Sequence, residues 1–150
     1  MLRETLKKAQ IAAMKAGEKE RLHAVRLILA KVKDRDIEMR TSGKEVPDDD
    51  LIIDVLQKMA KQRRESITMY EDGGRQELAD QEKSELIVIE EFLPQQMDET
   101  ETKAAIEQAK ADTGAEGLKD MGKLMAELKT RHGATLDMSK ASAMVKAALS

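Results

Sequence analysis

The apolar residues of this 150-residue chain recur at steps of three and four, the period of an α-helix, in every long segment. No segment reads convincingly as a strand. Only Tyr70 and Phe92 are aromatic, so apolar packing must depend on Leu, Ile, Val, Ala and ten Met residues. Strands favour aromatic and β-branched residues, in which the chain is poor. The sequence therefore predicts an all-α protein.

Glycine and proline residues divide the periodic pattern into seven predicted helices. Gly17, Ser42-Gly43 and Gly73-Gly74 end the first three, and Pro94 ends the fourth. Pro47 and the acidic run Asp48–Asp50 are expected to begin the third, with the acids capping its first turn. The predicted spans are 2–16, 18–40, 48–71, 75–93, 98–113, 118–131 and 139–149.

A domain boundary is predicted immediately after Pro94. Gln95, Gln96 and Met97 form a short linker, and Asp98 with Glu101 three residues later reads as a capping box. We therefore expect a larger N-terminal helical bundle over residues 1–94 and a small three-helix domain over residues 95–150. The core positions expected from the helical stripes are Leu2, Leu6, Ala9, Ala13, Leu22, Val25, Ile28, Leu29, Val32, Ile52, Leu56, Met59, Ile67, Tyr70, Leu78, Leu86, Ile89, Phe92 or Leu93, Ile106, Leu118, Met121, Leu124, Leu128, Met144, Val145 and Leu149.

Composition excludes several classes of protein. No apolar run approaches the roughly 18 residues of a membrane span, and the opening MLRETLKKAQ lacks an apolar signal-peptide core, so a cytoplasmic protein without membrane contact is expected. Without cysteine, disulfides, thiolate chemistry and Cys-ligated zinc are impossible. The net charge of -3 is unevenly distributed: residues 1–40 sum to +5 (11 basic, 6 acidic), and residues 117–150 to +3 (6 basic, 3 acidic).

No pattern indicates a catalytic residue, a metal site or a cofactor. His132 beside Gly133 reads as a cation in the last turn of a helix, and His23 as a solvent-facing or partly buried residue. The Asp48–Asp50 run lacks a calcium-loop pattern, and Asp72-Gly73-Gly74-Arg75 lacks the Lys-Ser/Thr of a phosphate loop. Basic residues of the second and third helices are explained most simply by ion pairs with the acidic fourth helix.

The basic C-terminal part carries the candidate binding surface. On the predicted sixth helix, Lys119 and Lys123 lie opposite an apolar side, and Gly122 interrupts the helix at the edge of that side. Gly122 would be explained by the close approach of another backbone or a ligand. Phosphate contacts by exposed lysines are one interpretation, and ordinary solvation is the other. The RNA-binding candidates are Lys119, Gly122, Lys123, Arg131, Lys140 and Lys146.

Three runs give the chain a resemblance to the GatB/YqeY family: RLHAVRLILAKVK at 21–33, KQRRESITMYEDGGRQELADQEKSELIVIEEFLPQQM at 61–97 and TGAEGLKDMGKLM at 113–125. Stand-alone members of that family are similar to the C-terminal region of the B subunit of the glutamine-dependent aspartyl/glutamyl-tRNA amidotransferase. In the enzyme, that region helps to hold tRNA while catalysis lies elsewhere. The resemblance implies an all-helical fold and assigns KDMGKLM to a tRNA-facing surface.

Three functions follow from these observations. The leading hypothesis is a non-catalytic helical tRNA-binding or adaptor module with no cofactor, whose partners are tRNA and amidotransferase or other translation-linked proteins; DNA is not expected. The second is a component of a carbon-nitrogen ligase with glutamine as amido-nitrogen donor, which rests on the resemblance alone. The third is a protein-interaction module without RNA.

Overall fold

Seven α-helices and one short 3-10 helix make up a computed structural model that describes all residues from 1 to 150. No strand is present, so the prediction of an all-α protein is confirmed. No helix combines the length and the apolar character needed to cross a bilayer. The α-helices are α1 Leu2–Ala16, α2 Lys19–Ser42, α3 Asp48–Asp72, α4 Gln76–Phe92, α5 Glu99–Thr113, α6 Met121–His132 and α7 Met138–Leu149, and the 3-10 helix is Leu118–Asp120.

The chain forms two compact units, Met1–Leu93 and Pro94–Ser150, each with its own apolar core. In the second unit, the segment after Pro94 is tied to the loop that follows α6. The Gln96 side chain donates to the Ala134 carbonyl over 2.9 Å, and the Met97 N–H donates to the Thr135 carbonyl over 2.7 Å. Asp98 caps α5 by accepting from the Glu101 N–H at 2.7 Å, so this half of the predicted capping box is confirmed.

The core of the first unit comes from the inner faces of α1, α2, α3 and α4. Leu6, Ile28, Ile52, Leu56 and Ile89 are almost completely buried, in agreement with the helical stripes. The prediction for Leu78 is wrong, because this side chain is 36% exposed. The next residue, Ala79, is fully buried instead. The small side chain of Ala79 suits a close approach of α4 to its neighbour, which a leucine at this point would prevent.

The second unit departs from prediction where α6 begins. Residues 118–120 form a 3-10 turn, not the first turn of α6, and this changes the direction of Leu118, which is 51% exposed rather than buried. Leu136, in the loop between α6 and α7, is fully buried in the core of the second unit, where Leu118 was the predicted core residue. A loop residue has no helical period, so the pattern of apolar residues could not identify it.

The acidic run at the start of α3 does not cap that helix, contrary to expectation. Pro47 occupies the N-cap position without a side-chain hydrogen bond. Asp48 instead accepts hydrogen bonds from the Arg3 guanidinium, and Asp49 accepts from the Leu2 N–H at 3.0 Å. Arg3 also binds Asp36 of α2 through two hydrogen bonds of 2.9 Å. Asp48 and Asp49 therefore join the start of α1 to α3, because the groups that donate hydrogen bonds to them lie on α1.

A charged cluster joins α3 to α4 near the surface of the first core. Arg63 Nε donates to Glu85 Oε2 over 2.8 Å, and the Glu85 side chain is only 11% exposed. Glu82 Oε2 lies 3.1 Å from the same nitrogen but has no hydrogen-bond partner. Burial raises the pKa of Glu82 above its usual range. Glu85 therefore accepts a hydrogen bond from Arg63, whereas Glu82 forms an ion pair with Arg63 without a hydrogen bond.

Glu85→Ala should reduce the free energy of unfolding by about 2 kcal/mol, because it removes a charge-assisted hydrogen bond from a largely buried pair. Glu82→Ala, the matched control one turn earlier, should change it by less than about 0.5 kcal/mol, because the lost carboxylate was poorly satisfied. Urea unfolding followed by circular dichroism at 222 nm measures both. Equal losses would show that Arg63 does not distinguish the two carboxylates.

Limited proteolysis with a protease of broad specificity should release a folded fragment ending near Pro94. The expectation follows from the separate cores of the two units and from Pro94, which ends α4. Mass spectrometry locates the cut, and circular dichroism of the fragment reports its helicity. Cleavage within α2 or α3 before the linker would argue against two independently stable units.

Candidate nucleic-acid interface

Exposed residues at steps of three and four form one outward side of α6 and of the turn before it. We call this surface the α6 face; its residues are Lys119, Gly122, Lys123, Ala126 and Lys129, all exposed. The opposite side is held in the core by Leu124 and Leu128, both fully buried. Burial of these two leucines fixes the rotation of α6 about its axis and directs the α6 face to solvent.

Lys119 and Lys129 are the two cations of the α6 face whose side chains have no partner in the chain. Neither side chain forms an ion pair or a hydrogen bond, and both are exposed. Lys123 differs, because its Nζ donates to the Thr113 carbonyl at the end of α5 over 2.9 Å. Lys123 therefore also stabilises the C-terminus of α5, a role that its place in the sequence did not reveal.

Asp120 is a carboxylate next to these lysines, directly after Lys119 in the chain. Its Oδ2 accepts a hydrogen bond from the Glu116 N–H at 3.0 Å. That bond is the main cause of a pKa below the usual range for Asp120, and the charges of Lys119 and Lys123 lower the pKa further. Asp120 fixes the turn that precedes α6 and offsets part of the positive charge at this end of the face.

Gly122 lies in the first turn of α6 and not in the middle of a helix, because the 3-10 turn ends at Asp120. A Cβ atom added at Gly122 would have no atom within 4 Å apart from its chain neighbours and the backbone of its own helical turns, so no other segment of the chain approaches it. The sequence-based explanation by contact with another backbone of the chain is wrong. What the structure shows is a part of the α6 face without side chains, next to two lysines.

Arg131 points away from the α6 face and is already paired. Its guanidinium donates to Asp112 over 2.8 Å and to Glu127 over 2.7 Å. Hydrogen bonds from Arg131 and then from Gln108 hold the pKa of Asp112 below its usual range. These contacts join α6 to α5, so Arg131 is better explained as a structural residue than as a free phosphate contact.

Lys140 and Lys146 are exposed on α7 and form no ion pair. The buried residues Ala141, Val145 and Leu149 define the inner side of this helix. The two lysines therefore belong to the outer side of a different helix from the α6 face. The structure brings together Lys119, Gly122 and Lys123, and it leaves the other three candidates outside that group.

The predicted ion pairing with α4 is confirmed for three basic residues of α2 and α3, and it is wrong for Arg26, Lys31, Lys33 and Lys61. Arg21 of α2 binds Glu91 of α4 and lies 5.8 Å from the centre of the Phe92 ring. Hydrogen bonding to Arg21 lowers the pKa of Glu91. Arg63 and Arg64 of α3 pair with further α4 carboxylates. Arg26 and Lys33, in contrast, are exposed without a partner.

A cleft of about 650 Å³ between α2 and α4 contains the one histidine–carboxylate contact. His23 Nε2 lies 3.8 Å from Glu85 Oε1, and the His23 side chain is 61% exposed. The nearby Ser84 hydroxyl donates to the Asp80 backbone carbonyl and not to the histidine. No pair of nucleophile and base is therefore assembled at this cleft.

Comparison with known proteins was made against curated sequences and against models of protein families. No curated protein matches the chain. A family model described as Yqey-like protein matches residues 3–149, which is nearly the full length and includes both compact units. The all-helical fold and the α6 face thus lie within the matched region. The chain belongs to the family of Yqey-like proteins.

Proposed function

We propose that this protein is a non-catalytic helical module that binds tRNA and acts as an adaptor linked to tRNA-dependent amidation. The observation that carries the proposal is the α6 face, where Lys119 and Lys123 flank the open backbone at Gly122 and Lys129 follows about two turns later. Exposed lysines attract phosphates, and a surface without bulky side chains lets a phosphate backbone come close.

The few aromatic residues favour backbone contacts over base recognition. Phe92 is buried in the first core, and Tyr70, also in the first unit, is half-buried. The second unit has no aromatic residue. Single-stranded RNA is usually held by stacking of bases on such side chains. The α6 face is therefore suited to the phosphates and shape of a folded RNA.

Titration of tRNA into the full chain should show association at about 50 mM salt that weakens steeply as salt increases, because phosphate contacts release counterions. The variant Lys119→Gln with Lys129→Gln should reduce the slope of log K against log salt by about 2, since two such contacts are lost. Both residues are exposed without partners, so folding should be unchanged.

The matched control is Lys61→Gln with Lys103→Gln, which removes the same charge from exposed, unpaired positions on α3 and α5. It should keep the parent's salt slope. Lack of association between tRNA and the parent at low salt would refute the function. Association with equal slopes for all three proteins would exclude the α6 face as the binding surface.

Gly122→Ala tests whether RNA approaches the backbone of α6. The added methyl group meets no atom of the chain and favours a helix, so the free energy of unfolding should rise by about 0.5 kcal/mol. The same methyl group should reduce tRNA affinity severalfold by holding the phosphates away. Urea unfolding and tRNA titration measure the two effects, and unchanged affinity would contradict close approach.

A direct assay distinguishes the amide-transfer alternative from the adaptor function. The isolated chain with glutamine, ATP and mischarged tRNA should form no amide product, because no assembled nucleophile and base were found at its one histidine–carboxylate cleft. Product formed by the purified chain would assign it an enzymatic role in place of an adaptor role.

A further inference from the structure

Four basic residues of α2 recur every seven residues along its solvent side. We call this row the α2 stripe: Lys19, Arg26, Lys33 and Arg40, all exposed. At 1.5 Å per residue, neighbours are about 10 Å apart along the axis and the row spans about 32 Å. Seven residues fall about 20° short of two full turns, so the row stays on one side of the helix.

None of these four side chains forms an ion pair or a hydrogen bond. Other cations of the first unit, among them Arg3, Arg21 and Arg63, are paired with carboxylates. The positions beside the row between Arg26 and Arg40 are Leu29, Ala30, Asp36 and Ile37. Asp36 is the one carboxylate among them, and Arg3 already binds both of its oxygens. The opposite side of α2 is buried through Val25, Ile28 and Val32, which fixes the stripe toward solvent.

Carboxylates adjoin the stripe at both of its ends. Lys19 shares the 650 Å³ cleft with Glu77, Asp80 and Glu85 of α4. Arg40 borders a second cleft that contains Glu45, as well as Asp36 and Asp48, which Arg3 already binds. Arg26 and Lys33 border neither cleft. The central pair is therefore the part of the stripe that lies outside both carboxylate-lined clefts.

We infer that the α2 stripe is a second phosphate-binding surface, which lies along the backbone of double-stranded RNA. The inference rests on the proposed RNA-binding function but concerns a different unit of the chain from the α6 face. A single phosphate can contact only one of these residues, because hydrogen bonds and ion pairs reach about 3–4 Å and the residues are about 10 Å apart. The row therefore requires a polymer with charge repeated along its length.

Two properties of α2 favour double-stranded RNA over a membrane surface and over a single-stranded nucleic acid. A membrane surface would require apolar side chains on the same side for insertion, and Ile37, 50% exposed, is the only large one there. A single strand would require aromatic side chains for stacking, and α2 contains none. A duplex presents phosphates on a stiff, regular outer surface, which a straight row of cations can follow.

The test uses two double variants of the full chain. The stripe variant carries both Arg26→Gln and Lys33→Gln, and the control carries both Lys61→Gln and Lys103→Gln. Circular dichroism first confirms that both variants are folded, as expected from their exposed positions. The probes are a 24-base-pair RNA duplex, a single-stranded RNA of the same length, and vesicles containing phosphatidylserine, each titrated from 50 mM salt upward. For the duplex, the slope of log K against log salt should be smaller by about 2 for the stripe variant than for the parent, and it should be unchanged for the control.

The α6 variant, Lys119→Gln with Lys129→Gln, separates this inference from the proposed function. If tRNA binding responds to the α6 variant while the stripe variant keeps the parent's slope on the duplex, the inference is overturned and the function stands. If the duplex and tRNA both fail to bind the parent, function and inference fail together. Preference of the stripe for vesicles or for the single strand also overturns the inference.

Discussion

The ion pairs between α3 and α4 determine where positive charge remains available on the first unit. Arg63 holds the nearly buried Glu85, Arg64 pairs with Glu90, and Lys83 of α4 pairs with Glu71 of α3. In the first two contacts α3 supplies a cation to a carboxylate of the acidic fourth helix, whereas in the third α4 supplies a cation to a carboxylate of α3. Because α3 supplies these cations, α2 contributes only Arg21 and His23 to the carboxylates of α4, and its outer row of cations is left unpaired.

The same division of charge recurs in the second unit on a smaller scale. Arg131 and Asp112 join α6 to α5, and Lys110 of α5 donates to the Ala148 carbonyl of α7. These residues hold helices together, whereas Lys119 and Lys129 form no ion pair or hydrogen bond. Arginine is suited to the first role because its planar guanidinium can donate to two carboxylates at once. In this unit the lysines without partners are the better candidates for a ligand.

The helical period was sufficient to locate every α-helix and most of the core, because burial of one side of a helix leaves a repeated pattern. The helical period does not predict burial where the direction of a side chain depends on the packing of another segment of the chain. Leu78 and Leu118 are apolar but exposed, and Leu136 is buried from a loop. Asp48 was expected to cap its own helix, and only the packing of α1 shows that Arg3 reaches it.

The candidate site was predictable in composition but not in arrangement. Lys119, Gly122 and Lys123 could be grouped because they are close in sequence, whereas the pairing of Arg131 depends on α5, which lies 19 residues earlier at Asp112. The seven-residue spacing of the α2 stripe is visible in the sequence. The spacing alone does not indicate a binding surface, because a basic helix beside an acidic one is explained equally well by ion pairs, and only the structure shows which cations are paired.

The net charge of -3 does not prevent a polyanion from binding, because charge acts over a limited distance in salt. At physiological ionic strength the screening length is about 8 Å, which is shorter than the roughly 10 Å between neighbours in the α2 stripe. A phosphate next to Arg26 or Lys33 is therefore governed by that cation, and the carboxylates of α4 that α3 already neutralises contribute little. At about 10 mM salt the screening length grows to about 30 Å, so the charge of the entire protein, and not only the nearest cation, acts on a phosphate. Local arrangement of charge, and not its sum, thus decides what this acidic protein can bind under cellular conditions.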